Sequence, residues 1–369
     1  MARGFLSKPV YFPELYVEKD GVALQRLKEL RNAKVELLRN DMIALNRLNL
    51  SNEEFWNFLE GKKLRGRSRG ILIFKKETTP AIAQLLGFII TDGSLASTEG
   101  RVKLCQRELD LIIEYIKIIN NEYKCKLTYT FDGKEANVGS IPLRYILHRY
   151  YGIPLGKKVR IVEVPAQITS SNNEEILKSF IAGLFDGDGY VHHYHRKDSG
   201  IFDKVTFCIS TSSHKLVEKS IEILDRLDIK CAKLIRRDDN RMTLQTSGFE
   251  NSLKFYEKII PYIFHKKRRE TAEKIFNGEE FAEKFTIPLS SQLKDLFRKI
   301  RKNNLDKILV ESGKYKYINS VRSIESWTYP SKFGKVRSIY VYRACKLLEI
   351  NPNKYIPQNQ LNFVEKSIQ

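Results

Sequence analysis

Cysteine is sparse in this chain and patternless. The five, Cys105, Cys125, Cys208, Cys231 and Cys345, include no C-x-x-C pair, which argues against a zinc site or a disulfide framework and fits a reducing compartment. Long apolar runs are missing too. Nothing approaches the roughly 20 residues of a membrane helix, and the opening "MARGFLSKPVYFPEL" lacks the apolar core of a secretion signal. These absences predict an intracellular protein without membrane attachment, in a prokaryotic cytoplasm or an organelle. Acid is the third shortage. Against 64 Lys and Arg stand 44 Asp and Glu, leaving a formal charge of +20 in 369 residues. That excess is more than solubility requires, and nucleic acid is the leading polyanionic partner. A thermally adapted surface, suggested by the many Lys, Glu and Ile residues, would explain the density of charge but not its sign. Of the six histidines, three cluster in "YVHHYH". With no cysteine or acid at ligand spacing, they read as strand residues rather than zinc ligands.

What the sequence does contain is a repeated helix end. "IAGLFDGDGY", residues 181–190, is an apolar helical run that finishes with Asp186 and Asp188 among glycines, and "LLGFIITDGS", residues 85–94, finishes with Asp92. The two align with Gly87 on Gly183 and Asp92 on Asp188, offset by 96 positions, about the length of a small domain. A helix C-terminus carries partial negative charge, so a carboxylate there is repelled and calls for a cation. The glycines on the apolar faces would let the two helices cross closely, bringing Asp92 and Asp188 together.

Downstream of each motif the same elements recur. Strand-like "GRVKLCQ" and "DKVTFCIST" precede the amphipathic helices "LDLIIEYIKII" and "HKLVEKSIEIL"; then come "CKLTYTF" and "AKLIRR", a helix, and the basic turns "PLGKKVR" and "FHKKRRE". Thr79-Pro80 opens the first motif helix, and Ser171 with Glu174 makes a capping box for the second. The expected fold is α+β, with two pseudo-symmetric αββαββα halves over 79–167 and 168–284. A helical N-terminal extension is expected over 1–78, from the spacing of Leu24, Leu27, Leu30, Leu37 and Leu38 and a capping box of Ser51 and Glu54. Its loop at 61–70, "GKKLRGRSRG", reads as a phosphate-tracking arm or a solvated linker. A helical domain over 285–369 is expected from "SQLKDLFRKIRKNN", "YINSVRSIESW" and "RSIYVYRACKLL". It weakly resembles a helix-turn-helix, with Arg322, Lys332, Lys335 and Arg337 around the turn; the alternative is a helical cap on the second half.

The two nine-residue motifs, "LLGFIITDG" and "IAGLFDGDG", make the chain resemble a single-chain LAGLIDADG homing endonuclease from about Thr79 to Ile275. The first motif departs at Ile90, where the pattern often has an acid. The resemblance implies paired motif helices, two sheets forming a DNA-binding saddle, and Asp92 and Asp188 as catalytic ligands for Mg²⁺ or Mn²⁺. No backbone ligand is assigned, position 91 included. It also implies a catalytic lysine near the end of each half, Lys158 and Lys266 by position, with Lys157 and Lys267 as competitors. Lys103, Arg107 and Ser212 match polar pocket positions, and DNA contacts are expected from Lys103, Arg107, His193, His195, Arg196, Lys204, Arg236 and Arg237. The implied activity is double-strand cleavage of a long DNA target by a monomer, leaving 3′ overhangs. A non-cleaving transcription regulator or intron RNA maturase on the same scaffold is the alternative. An intein-embedded enzyme is disfavoured because the chain begins at Met1 and ends "EKSIQ", without a His-Asn ending, so a free-standing or intron-encoded protein is the simpler expectation.

Overall fold

A computed structural model of the chain describes residues 16–19, 22–24, 52–61, 63–65, 71–97, 100–195, 202–235, 241–277, 286–303, 305 and 335–368. They fall into two compact units, one within Met1–His192 and Lys204–Arg269, the other within His193–Asp203 and Glu270–Gln369.

The larger unit contains the two motif helices. Helix α2 (Pro80–Asp92) starts where Thr79 Oγ1 accepts from the Ile82 amide and Pro80 supplies a preset φ at the first helical position. It runs directly into β5 (Gly93–Leu95), followed by β6 (Arg101–Leu104), α3 (Leu109–Glu122), β7 (Tyr129–Phe131), β8 (Ala136–Gly139) and α4 (Ile141–Tyr145), which continues as a π-helical turn to Tyr150. The four strands pair antiparallel in the order β5-β6-β8-β7. A short helix α5 (Ala166–Thr169) leads to α6 (Glu174–Asp188), then β9 (Gly189–His195), β10 (Phe202–Thr211), α7 (His214–Arg226), β11 (Cys231–Ile235), β12 (Met242–Thr246), α8 (Gly248–Lys258) and α9 (Lys266–Phe276). The second sheet has the order β9-β10-β12-β11, the same arrangement as the first. The fold is therefore α+β, and the duplication visible in the motifs extends through whole halves.

Glycine permits the crossing of α2 and α6. A Cβ on Gly87 would overlap the Phe180 carbonyl, and one on Gly183 would overlap the Gln84 carbonyl, so backbone meets backbone at both points. Around this contact Leu85, Leu86, Phe88, Ile89, Phe180, Ile181, Leu184 and Phe185 are fully buried, and the helix pair forms the core shared by the halves.

Three local expectations differ from the structure. The N-cap of α6 is Asn173, whose side chain accepts from the Glu175 amide, while Ser171 Oγ accepts from Asn173 N one step earlier. The basic segment "KKRRE" is the first turn of α9 rather than a turn between elements. At the N-terminus, Leu24 ends a strand: β1 (Tyr16–Lys19), β2 (Val22–Leu24), β3 (Lys63–Arg65) and β4 (Ile71–Ile73) form an antiparallel sheet in the order β2-β1-β3-β4. Strand β3 thus occupies part of the expected basic loop; ladder pairing such as Val17 opposite Leu64 overrides local helical spacing. The helix expected after Ser51 is present as α1 (Asn52–Leu59). Its Trp56 packs against Phe74, Tyr145 and Tyr150 at ring separations of 5.2, 5.9 and 5.0 Å, joining this segment to the first half. Leu27, Leu30, Leu37, Leu38 and residues 66–70 lie outside the described residues.

In the smaller unit β13 (Thr286–Pro288) pairs with β14 (Lys335–Arg337), and α10 (Ser291–Lys302), α11 (Ser338–Leu347) and α12 (Gln358–Ile368) enclose a core of Leu293, Leu296, Phe297, Ile300, Ile339, Val341 and Val364. The strand pair was not expected from sequence. "YINSVRSIESW", Arg322 and Lys332 lie outside the described residues.

Candidate metal and nucleic-acid site

Both motif helices end in a Gly-initiated strand, so each terminal carboxylate stands where helix becomes sheet. Asp92 is half-buried, and its Oδ2 accepts a 3.1 Å hydrogen bond from Gln106 Nε2. A Cβ on Gly187 of the opposite helix would stand 3.3 Å from the Asp92 carboxyl carbon, so the end of α6 lies against this acid. The residue before Asp92, to which no ligand role was assigned, is Thr91: its side-chain Oγ1 donates to the Gly87 carbonyl at 3.2 Å and the Phe88 carbonyl at 3.0 Å within its own helix. Burial, then the Asp188 charge, and more weakly Asp186, push the Asp92 carboxyl up to about 7 against the opposing pull of Arg268 and Lys158. Asp188 is more open to solvent as a residue, yet protein crowds its carboxyl group and raises it, while Arg268, Lys158 and Arg241 pull it down. Two acids that resist joint ionisation are thus set at two negative helix ends.

The positive charge that these ends call for is partly supplied by the chain itself. Lys158, 7% exposed, donates from Nζ to the Ile89 carbonyl in the last turn of α2. Burial lowers its ammonium to about 8, with Asp92, Cys105 and Asp188 opposing that fall. In the last turn of α6, Arg268 Nη1 donates to the Phe185 carbonyl at 2.5 Å and to the Asp186 carbonyl, and its Nη2 donates to the Gly187 carbonyl at 2.8 Å. Ile89 and Phe185 are offset by the same 96 positions as the two acids, so Lys158 and Arg268 cap equivalent carbonyls in the two halves. The expected partner of Lys158 was Lys266. The contacts at the end of α6 are made by Arg268, two positions on, while Lys266 is the exposed first residue of α9. Lys267, the competing assignment, bonds Glu108 Oε1 at 2.9 Å.

Asp186 has a different task from its neighbour. Two helical residues are turned by about 200° relative to one another, so with Asp188 at the open end Asp186 points inward. It is fully buried and accepts from Tyr115 OH at 2.6 Å, the His265 amide at 2.9 Å, the Phe264 amide at 3.2 Å and Gln84 Nε2 at 3.3 Å. Burial raises its carboxyl, and these four donors oppose the rise. Tyr115 is itself stacked on Phe88 at 3.9 Å. The cluster fastens α2, α3 and the 263–265 loop, which leads to Arg268, onto α6. None of Arg268, Gln106, Gln84, Tyr115 or His265 was identified from sequence; the helical phase of Asp186 was the available signal for an inward acid.

Of the expected DNA contacts, Lys103 lies on β6 and bonds Glu135 Oε1 at 2.7 Å, and Arg107 is exposed just ahead of α3. His193 is exposed on β9, as is His192. His195 is on β9, Lys204 on β10, and Ser212 is half-buried between β10 and α7. Arg196, Arg236 and Arg237 lie outside the described residues.

Among the described residues no cluster of three His, Cys, Asp or Glu side chains could hold a metal ion. The donor chemistry of Asp92 and Asp188 nevertheless suits a hard divalent cation: two carboxylates at adjoining helix ends, both raised by burial, with the Asp188 charge adding to the rise at Asp92. With the nearby carbonyls of Ile89, Phe185, Asp186 and Gly187 engaged by Lys158 and Arg268, the remaining ligands would be water and substrate oxygen.

Residues 175–260 match the family model described as a LAGLIDADG-like domain, from the first turn of α6 to the first residue of the 3₁₀ turn after α8. The second half thus carries a LAGLIDADG-like domain, and the first half repeats the element order and strand order of the matched half. A replication factor C small subunit of Methanocaldococcus jannaschii is 24% identical over 212 residues, 51% of this chain and only 11% of that protein's length. Among solved structures, mesophilic variants of the homing endonuclease I-DmoI align with a TM-score of 0.36 at 20% identity, covering 49% of this chain and 89% of theirs. I-DmoI in complex with DNA and Mn aligns with the same score and identity over 96% of its chain. Full-length DUF199/WhiA from Thermatoga maritima aligns with a TM-score of 0.37 at 14% identity, covering 78% of this chain and 91% of its own. No helix among the described residues is long and apolar enough to cross a membrane.

Proposed function

We propose that the chain is a sequence-specific endonuclease that hydrolyses phosphodiesters in both strands of a long duplex DNA target, with Mg²⁺ or Mn²⁺ held by Asp92 and Asp188, and leaves 3′ overhangs. The observation that carries this reading is the acid pair: two carboxylates, one at the end of each glycine-crossed helix, the Asp92 group held near 7 by burial and by its counterpart. A divalent ion, when bound, supplies a more acidic water and neutralises charge on the phosphate. The protein groups supply placement. Gln106 orients Asp92 through Oδ2, Lys158 and Arg268 fix the two helix ends and keep positive charge beside the acids, and the Asp186 cluster sets the loop that leads to Arg268. Lys158, near 8, is a cation at the centre able to exchange a proton close to neutral pH. The excess of basic residues supports duplex DNA as the partner, and two halves in one chain support action as a monomer. We place this activity inside the cell.

Incubating the protein with a randomised duplex library and Mg²⁺, then sequencing the ends, tests the reading. Staggered cuts at a recurrent sequence are expected, and Asp92→Asn or Asp188→Asn should abolish cutting while leaving duplex binding in Ca²⁺ intact. Selective binding without cutting by the parent protein would establish the non-cleaving alternative, a regulator or maturase on this scaffold.

A further inference from the structure

The two most exposed large aliphatic side chains among the described residues are Val159, 60% exposed, and Ile161, 61% exposed. They stand on one tight turn, closed by Ile161 N and Val162 N both donating to the Lys158 carbonyl at 3.0 Å. The turn is anchored at both ends. On one side Lys158 is buried with its Nζ at the Ile89 carbonyl, and Gly156 N donates to the Leu95 carbonyl at 2.8 Å. On the other, Val162 is buried and its carbonyl accepts from Ser213 Oγ at 2.5 Å, with Lys215 paired to Glu163 beyond it. The tip, Val159-Arg160-Ile161, stands in solvent between buried Lys158 and buried Val162, directly after the lysine whose Nζ reaches the last turn of α2.

Two aliphatic side chains held in water on a braced turn lose the stabilisation that burial would give them, so a buried state with a partner is the natural complement. The flanking charges identify the partner's chemistry. Lys157 and Arg160 are exposed and basic, as is the chain as a whole. A protein partner's apolar groove does not call for that charge, whereas apolar side chains framed by cations match base steps framed by phosphates. We infer that Val159 and Ile161 form an apolar wedge that enters the duplex beside the acid pair, partly unstacks one base step and bends the DNA there, with Lys157 and Arg160 on the adjacent phosphates. This rests on the reading of the chain as a protein of duplex DNA. Unstacking beside the two acids would allow the two strands to be presented at a bend, and flexible pyrimidine–purine steps would be favoured without any base-edge contact.

The test uses the full-length protein, a duplex selected by binding from a randomised library, and Ca²⁺. Permanganate, which oxidises unstacked thymines, is applied to duplexes carrying thymine at each position of the footprint in turn. The parent should create one hyperreactive step within the footprint. The Val159→Ser/Ile161→Ser double variant should keep the footprint, lose the hyperreactivity and bind about three- to tenfold more weakly from the apolar area no longer buried. Val159→Leu/Ile161→Leu should retain the signal, separating wedge chemistry from damage to the turn. A parent that binds with no hyperreactive step, or a serine variant with undiminished reactivity, overturns the wedge alone. A parent that selects no duplex at all overturns the wedge together with the DNA reading.

Discussion

The end of α2 and the end of α6 present the same backbone problem, and the two halves solve it with different chemistry. In the first half a lysine reaches one carbonyl, the acid is half-buried, and Gln106 holds it; in the second an arginine reaches three carbonyls and the acid is more open. Two residues upstream the contrast repeats, with Ile90 in the core of one helix and Asp186 in a four-donor cluster in the other. Duplication therefore preserved the architecture while the halves acquired unequal polar support. A guanidinium stays charged throughout the working pH range, whereas the Lys158 ammonium, near 8, does not.

The largest predicted effect concerns what the halves share. Gly183→Val should force Gln84 and α2 away from α6, costing about 3 kcal/mol or more. Gly87→Val should do the same through the Phe180 carbonyl. Thermal unfolding measures both, and a mild effect in one variant would show that the crossing is not reciprocal. Next in size is the unequal capping. Arg268→Met leaves three carbonyls without their cationic donor and should cost about 2 to 3 kcal/mol. Lys158→Met removes one bond but also the desolvation of a buried ammonium, so a cost of about 1 kcal/mol is expected. Equal losses in denaturant unfolding would mean that the two cations contribute alike.

The common plan of the halves was legible because its signals are local: apolar helical runs closing on Asp-Gly, glycines on their inner faces, and alternating strands such as β6 and β10. The asymmetry was not, since it depends on contacts remote in sequence. "FHKKRRE" offers four consecutive basic residues, and nothing within that run marks Arg268 rather than Lys266 as the one that meets the end of α6. Asp186 finds its partners 71 to 102 positions away. The N-terminal sheet depends on pairing of β1 with β3 across an intervening helix, which no leucine spacing reports.

The central claim is that Asp92 and Asp188 form a divalent-cation pair, and the melting temperature of the DNA-free protein with and without Ca²⁺ at pH 5 and pH 8 tests it most directly. Because the folded-state pKa of Asp92 lies near 7, above the roughly 3.9 of an unfolded chain, the folded protein holds its proton more tightly. Its contribution then becomes increasingly destabilising as pH rises from about 4 to about 7 and levels off above. A cation that occupies the pair should relieve that cost only where the acids are ionised. The expected result is a Ca²⁺-dependent rise in melting temperature at pH 8, little or none at pH 5, and loss of the rise in both Asp92→Asn and Asp188→Asn. A rise of the same size in the parent and both variants, or no rise in the parent at pH 8, would contradict it.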